Sequence, residues 1–167
     1  IAISSEKEDN IHVTNVKTIE NKIGVLVYGH VYDERFGDVE LTKIISALKR
    51  KKYSFINQLH GCFFGVYYDV YESKVLFFTD RLGMMPTYYY YDRHHFVFSD
   101  SMKEIVDYIS SPLSINYEGW AQFFYFGNSL GKSTYFQEIK RTSYDEWIEL
   151  DIKGYFKTFN VYHFHDQ

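Results

Sequence analysis

Residues 55–105 read FINQLHGCFFGVYYDVYESKVLFFTDRLGMMPTYYYYDRHHFVFSDSMKEI. Three apolar runs follow one another closely here, Cys62 to Tyr68, Val75 to Thr79 and Thr87 to Tyr91, and a fourth covers Phe96 to Ser99. Each is short, rich in Val, Phe and Tyr, and bounded by turn-forming residues: Asp69, Glu72-Ser73, Arg81-Leu82-Gly83 with Pro86, and Asp92-Arg93. Such runs predict strands, and their spacing predicts antiparallel neighbours in one sheet. They are apolar at nearly every position, not at every second one, so the sheet should be covered on both faces.

Working outward, Ile23 to Tyr32 (IGVLVYGHVY) reads as a strand with Gly29 marking a bend or a close backbone approach. Ahead of it, Ile11 to Val16 alternates weakly, as an edge strand would. Asp33 to Gly37 reads as a loop. Asp38 is placed to cap a helix reaching about Lys51, with Leu41, Ile44, Ile45 and Leu48 on one face. A short helix is expected around Phe55 to Leu59. Beyond the central strands, Ser101 and Glu104 have capping-box spacing for a helix to Ile109, and Ser110-Ser111-Pro112 stops it. Asn116 should begin another helix, through Phe126, with an apolar face of Trp120, Phe123 and Phe124 flanked by Tyr117 and Tyr125. Gly127 to Lys132 reads as a loop, and Tyr144 to Leu150 and Tyr155 to Phe164 as strands joined by a turn at Asp151 to Gly154.

Composition narrows the function classes. The 167 residues suit one domain, 1–167, with a real core. Seventeen Tyr and fifteen Phe imply a tyrosine-rich core and sheet edge, or a surface that stacks on carbohydrate or a partner. A net charge of -4 gives no field for nucleic acid or an anionic membrane. The basic run Lys49 to Lys52 is explained by the end of a helix, where cations complement the dipole. One cysteine excludes an internal disulfide and fits a reducing, cytoplasmic setting. No apolar run approaches a membrane span.

Several blocks together resemble the glutaminase domain of asparagine synthetases, a class II glutamine amidotransferase. They are Gly61-x-Phe63 with Tyr68-Asp69, then Asp80-Arg81-x-Gly83-x-x-Pro86-x-Tyr88-Tyr89, then Phe98-Ser99-Asp100-Ser101-x-Lys103-Glu104-Ile105. The likeness continues from Ile115 to Asp151 through Thr134-x-Phe136-x-x-Ile139-Lys140. It implies an α+β fold of the N-terminal-nucleophile hydrolase type, a four-layer αββα sandwich of two antiparallel sheets. The region ahead of Tyr28 is shorter than the family's.

The resemblance also implies where chemistry should reside. Such enzymes hydrolyse glutamine with an N-terminal cysteine whose own α-amino group serves as base. This sequence opens on Ile1, and Cys62 sits within a predicted strand, where a thiol is ordinarily a small hydrophobe. The family's oxyanion amide comes from an Asn-Gly pair in a pattern NGE-aliphatic-YN; the matching stretch is Tyr28-Gly29-His30-Val31-Tyr32-Asp33. Gly29 and Tyr32 are kept, Tyr28 replaces the asparagine and His30 replaces the glutamate. Asp38 matches the aspartate that holds the amino-acid end of glutamine, but the arginine has no counterpart, since residues 1–27 carry only Lys7, Lys17 and Lys22. These departures predict a vestigial pocket at Tyr28, Gly29, His30 and Asp38, and no catalytic residue.

Two weaker patterns carry less. Gly127-x-x-x-Gly131-Lys132-Ser133 has three residues between its glycines where a phosphate-binding loop needs four. His94-His95 and His163-x-His165 lack the partners of a metal site. Three readings follow. The first is a silent glutaminase-like domain of an asparagine synthetase-like, ATP-dependent amide-forming enzyme or cyclase, like β-lactam synthetase and lasso-peptide cyclases. The second is an active glutaminase whose cysteine-bearing segment is missing here. The third is a stand-alone scaffold module. No cofactor is expected in this chain; ATP and Mg²⁺ belong to a linked or separate ATP-pyrophosphatase domain, the expected partner, and a homodimer stays open.

Overall fold

A computed structural model describes residues 15–19, 22–33, 35, 37–92, 95–144, 146–151 and 158–163. Its elements run β1 (Asn15–Ile19), β2 (Ile23–Tyr32), α1 (Leu41–Lys49), α2 (Ser54–Asn57), β3 (His60–Asp69), β4 (Lys74–Thr79), β5 (Tyr88–Tyr91), β6 (Phe96–Ser99), α3 (Met102–Tyr108), α4 (Tyr117–Phe126), β7 (Ile139–Arg141), β8 (Glu146–Asp151) and β9 (Thr158–His163). The described residues fall into two units: those up to Met85 together with those from Tyr144 onward form one, and Pro86–Ser143 the other.

The first unit is an antiparallel sheet in the order β1-β2-β3-β4-β8-β9. Strand β2 has the bounds its sequence predicts, whereas the edge strand ahead of it lies at Asn15–Ile19 and so overlaps the expected Ile11 to Val16 by two residues; residues 11–14 lie outside the described residues. One face of the sheet carries Val25, Val27, Phe63, Tyr67, Leu76, Phe78 and Trp147. Helix α1 closes on it through Ile44, Ile45 and Leu48, and α2 through Ile56. Each of these aliphatic side chains contributes about 1.5 to 3 kcal/mol when fully buried. The opposite face is buried too, at Phe64, Val66, Val75, Phe77, Ile148 and Leu150. The unbroken apolar runs of β3 and β4 therefore mean what they suggested, a sheet shielded on both sides.

The second unit is a three-stranded antiparallel sheet, β6-β5-β7, with a small core of Tyr90, Val97, Ile105 and Ile139 that Met102, Val106 and Phe136 pack against. The four central runs are thus divided between two sheets and do not form one. The chain pairs β3 with β4 and β5 with β6, but the connection Asp80–Thr87 is too long and too strongly bound to its own aspartate to act as a hairpin between β4 and β5.

Two predicted caps are corrected. Asp38 does not cap α1. It bridges Tyr32 in extended backbone, so the helix begins three residues later with Glu40 at the N-cap and no side-chain cap. Ser101 sits at the N-cap of α3, yet its side chain caps nothing; Glu104 instead accepts the hydroxyl of Ser99 at 2.6 Å, and Ser99 Oγ accepts the Ser101 N–H. Asn116 does cap α4, accepting the Gly119 N–H at 3.2 Å, and Gly127 ends that helix in the left-handed region at φ 76°. Strands β8 and β9 pair antiparallel as expected, with Asp151 opposite Thr158; the predicted turn through Gly154 lies outside the described residues apart from Asp151.

Gly65 shows how tightly the first sheet is packed. A Cβ there would meet the Phe78 ring at 2.1 Å. Gly65→Ala should therefore lower stability by about 1 to 3 kcal/mol. Combining it with Phe78→Leu should recover part of that loss, since contacting residues couple by about 0.5 to 3 kcal/mol. Urea midpoints of the two single variants and the double variant measure this; additive losses would mean that the ring moves aside freely.

Candidate functional site

The expected pocket residues lie at the C-terminal end of β2. The register sets Tyr28 opposite Phe64, Gly29 opposite Phe63, His30 opposite Cys62 and Tyr32 opposite His60. Alternation therefore puts Tyr28, His30, Tyr32, Cys62 and Phe64 on one side of the sheet, away from α1 and α2. Tyr28 is half-buried, and its ring stacks on Phe64 with centroids 5.2 Å apart at 30°. His30 is exposed and lies parallel to Tyr32 at a longer 6.5 Å. The phenol is thus braced by a cross-strand aromatic partner, and the imidazole by a neighbour two residues on along the same strand.

Gly29 is needed by the backbone itself. Its φ is +99°, and a Cβ would lie 2.2 Å from the Cys62 carbonyl oxygen. Gly61, on the facing strand, is its counterpart, with φ +126° and a Cβ position 2.0 Å from the His30 carbonyl oxygen. Two glycines offset across one strand pair let the two backbones approach closely just where β2 ends and β3 begins. In the sequence Gly61 is visible only as the first letter of Gly61-x-Phe63. A glycine at the second position of a strand was the signal available.

Asp38 is exposed and meets the sheet through its bridge to Tyr32. The structure thus brings Tyr28, Gly29 and His30 together as consecutive residues and sets Asp38 beside the strand end. Between the two segments, Asp33 closes the loop. Its Oδ1 accepts the Arg35 N–H at 2.8 Å and the Gly37 N–H at 2.9 Å. The Gly37 and Arg35 donors, with smaller help from the Lys43 charge, hold the Asp33 carboxyl below its ordinary range.

Cys62 is partly buried, and its thiol is pushed above its usual pKa, first by burial and then by the negative charge of Asp80. Asp80 is itself buried and serves the loop after β4. It accepts the N–H groups of Leu82 at 2.9 Å and Met84 at 3.1 Å and, more loosely, of Phe63 at 3.4 Å. Its role is to fix the Asp80-Arg81-x-Gly83 block, with Gly83 at φ +59° against the Tyr144 backbone. An aspartate three residues ahead of a glycine was the legible signal for this turn.

Among the described residues, no group of three or more His, Cys, Asp or Glu is arranged to hold a metal ion. His94 and His165 lie outside the described residues. The Gly127–Gly131 segment follows a helix as a loop, with both glycines at positive φ. No helix among the described residues is long and apolar enough to cross a membrane.

Comparison with curated proteins gives no match. A protein family does match, and over most of the chain: the family described as glutamine amidotransferase domain aligns with residues 21–162. That span includes β2, the Asp80 loop, α4 and every strand of the two sheets except β1 and the last residue of β9. With its two antiparallel sheets and few helices, the chain belongs to the glutamine amidotransferase domain family.

Proposed function

We propose that this chain is a catalytically silent glutaminase-like domain that serves an asparagine synthetase-like, ATP-dependent amide-forming enzyme or cyclase. The observation that carries the reading is Tyr28. It stands where the resemblance expects the oxyanion amide, and its ring is engaged with Phe64 at 5.2 Å. A phenol on that neighbour is not a carboxamide aimed at a developing oxyanion. Loss of one such donor costs about 3 kcal/mol, a hundredfold or more in rate.

Two further features support it. Where the pattern has glutamate, His30 lies exposed beside Tyr32. Cys62 is no substitute nucleophile, since burial and Asp80 make its thiol harder to ionise. In this reading the amine that attacks an activated carboxylate comes from the substrate itself, and no ammonia is delivered from glutamine. ATP and Mg²⁺ would be held by the ATP-pyrophosphatase partner.

The surface of α4 supports a covered partner face. Tyr117, Phe124 and Tyr125 are 78%, 78% and 84% exposed, with Phe126 and Leu130 exposed beside them. The aromatic residues that the sequence marks as an apolar face are therefore largely outside the core; Gly119 is the buried residue of that helix. Clustered exposed aromatics of this kind mark interaction sites.

The test is ammonia release from glutamine by the protein purified at its native length. No release above a heat-denatured control is expected, and ATP-dependent pyrophosphate release with the native carboxylate substrate should not rise when glutamine is added. Glutamine-dependent ammonia production would overturn the reading in favour of an active glutaminase. Independently, Cys62 should react with iodoacetamide at pH 8 several-fold more slowly in the folded protein than in urea; equal rates would show a thiol that is neither shielded nor disfavoured as thiolate.

A further inference from the structure

Between the loop after β2, the start of α1 and the end of α2 lies a cavity of about 280 Å³. Its floor is apolar: Val39 and Phe55 are half-buried against the main core, and Leu59 is buried. Among the described residues its polar wall has Gln58 and three charged side chains, Asp33 and Arg35 from the loop and Lys43 from α1. None of Tyr28, Gly29, His30 or Asp38 lines it, and its floor packs on the helix-covered face of the sheet, opposite the one that carries Tyr28 and His30.

The wall is built and not accidental. Asp33 holds the loop closed by accepting two backbone N–H groups, and both bonds use Oδ1, so Oδ2 has lone pairs to offer. The Asp33 N–H donates in turn to the Gly37 carbonyl at 2.9 Å. The loop therefore presents one carboxylate oxygen and one guanidinium at fixed backbone positions, and α1 contributes an ammonium. An apolar base with a few convergent polar groups is the usual make-up of a small-molecule site, and this volume suits a ligand smaller than a drug. A simple anion would satisfy the two cations and ignore both Asp33 and the apolar floor. A simple cation would face two like charges.

We infer that this cavity is a binding site for a free α-amino acid with an apolar side chain: carboxylate toward Arg35 and Lys43, ammonium toward Asp33 Oδ2, and side chain on Val39, Phe55 and Leu59. A zwitterion answers the charges that Asp33, Arg35 and Lys43 bring to the wall, and an aliphatic side chain answers the floor. The site does not depend on glutamine hydrolysis, and it would be present whether or not the domain is silent.

The probe is leucine, compared with 4-methylpentanoate, which lacks the ammonium, and 3-methylbutylamine, which lacks the carboxylate. Titrations of the full chain followed by methyl NMR should show leucine shifting Val39 and Leu59, with each single-charge analogue at least tenfold weaker. The variant Arg35→Ala/Lys43→Ala should weaken leucine at least tenfold while keeping its melting temperature. Four outcomes would overturn the inference: no leucine shifts at about 10 mM, weaker than the millimolar scale of weak but specific sites; an analogue that binds as well as leucine; unchanged affinity in the double variant; or shifts centred on Tyr28 to His30.

Discussion

Strand ends in this protein are held by aspartates that take up the backbone donors of the turn that follows. Asp33 does this after β2, Asp69 at the end of β3, Asp80 after β4 and Asp92 after β5. Asp69 accepts the Tyr71 and Glu72 N–H groups at 2.9 and 3.1 Å, and Asp92 accepts that of His95 at 2.7 Å. A hydrogen bond to a charged acceptor contributes about 1.5 to 3 kcal/mol, less where water competes, so the part-buried donors of the Asp69 and Asp80 turns gain more from it than the exposed ones of Asp33 and Asp92. Because Asp69 and Asp80 are themselves buried, the cost of burying their charges is offset by these donors and, at Asp69, by the Tyr67 hydroxyl at 3.2 Å. Burial, and next the Asp69 charge, keep that phenol protonated far into alkaline conditions.

These aspartates account for much of what was readable in the chain beforehand. Asp69 and Asp92 stand at run boundaries and read directly as turn-formers, and the strands β3 to β6 that they punctuate fall within one or two residues of their predicted limits. Helix α1 was legible from the spacing of Ile44, Ile45 and Leu48, because apolar residues three and four apart share a face only when the backbone turns every 3.6 residues. Its start was not legible. An aspartate ahead of an amphipathic run is equally fit to cap a helix or to extend a strand, and the pairing with Tyr32 that decides the matter is a contact between residues six apart. The division of the four central runs between two sheets was hidden for the same reason. Strand character is local, but partner choice depends on how the Asp80 loop folds on itself.

The site was legible in part. The positions of Tyr28, Gly29 and His30 followed from a motif, and the structure puts them at one strand end. What the sequence could not supply was the surroundings. The Tyr28–Phe64 stack and the effect of Asp80 on Cys62 both depend on side-chain placement across the sheet or its loops. The cavity beside Arg35 was invisible for a similar reason: its wall and floor come from three segments that no linear pattern links. The aromatic face of α4 illustrates the converse. Its periodic apolar character was plain, yet periodicity states only that a face exists, not that this chain buries it.

Gly29 bears on how much a retained motif can testify to. With its backbone in the left-handed region and a carbonyl oxygen occupying the place of a side chain, no other residue fits there, whatever chemistry the pocket performs. Such a position is held by geometry and would outlast the loss of catalysis for as long as the fold itself survives. A tally of retained motif letters therefore counts it as a vote for activity when it has no say. The informative letters are the neighbours on either side, whose side chains the fold leaves free to vary, and in this chain both of them depart from the pattern.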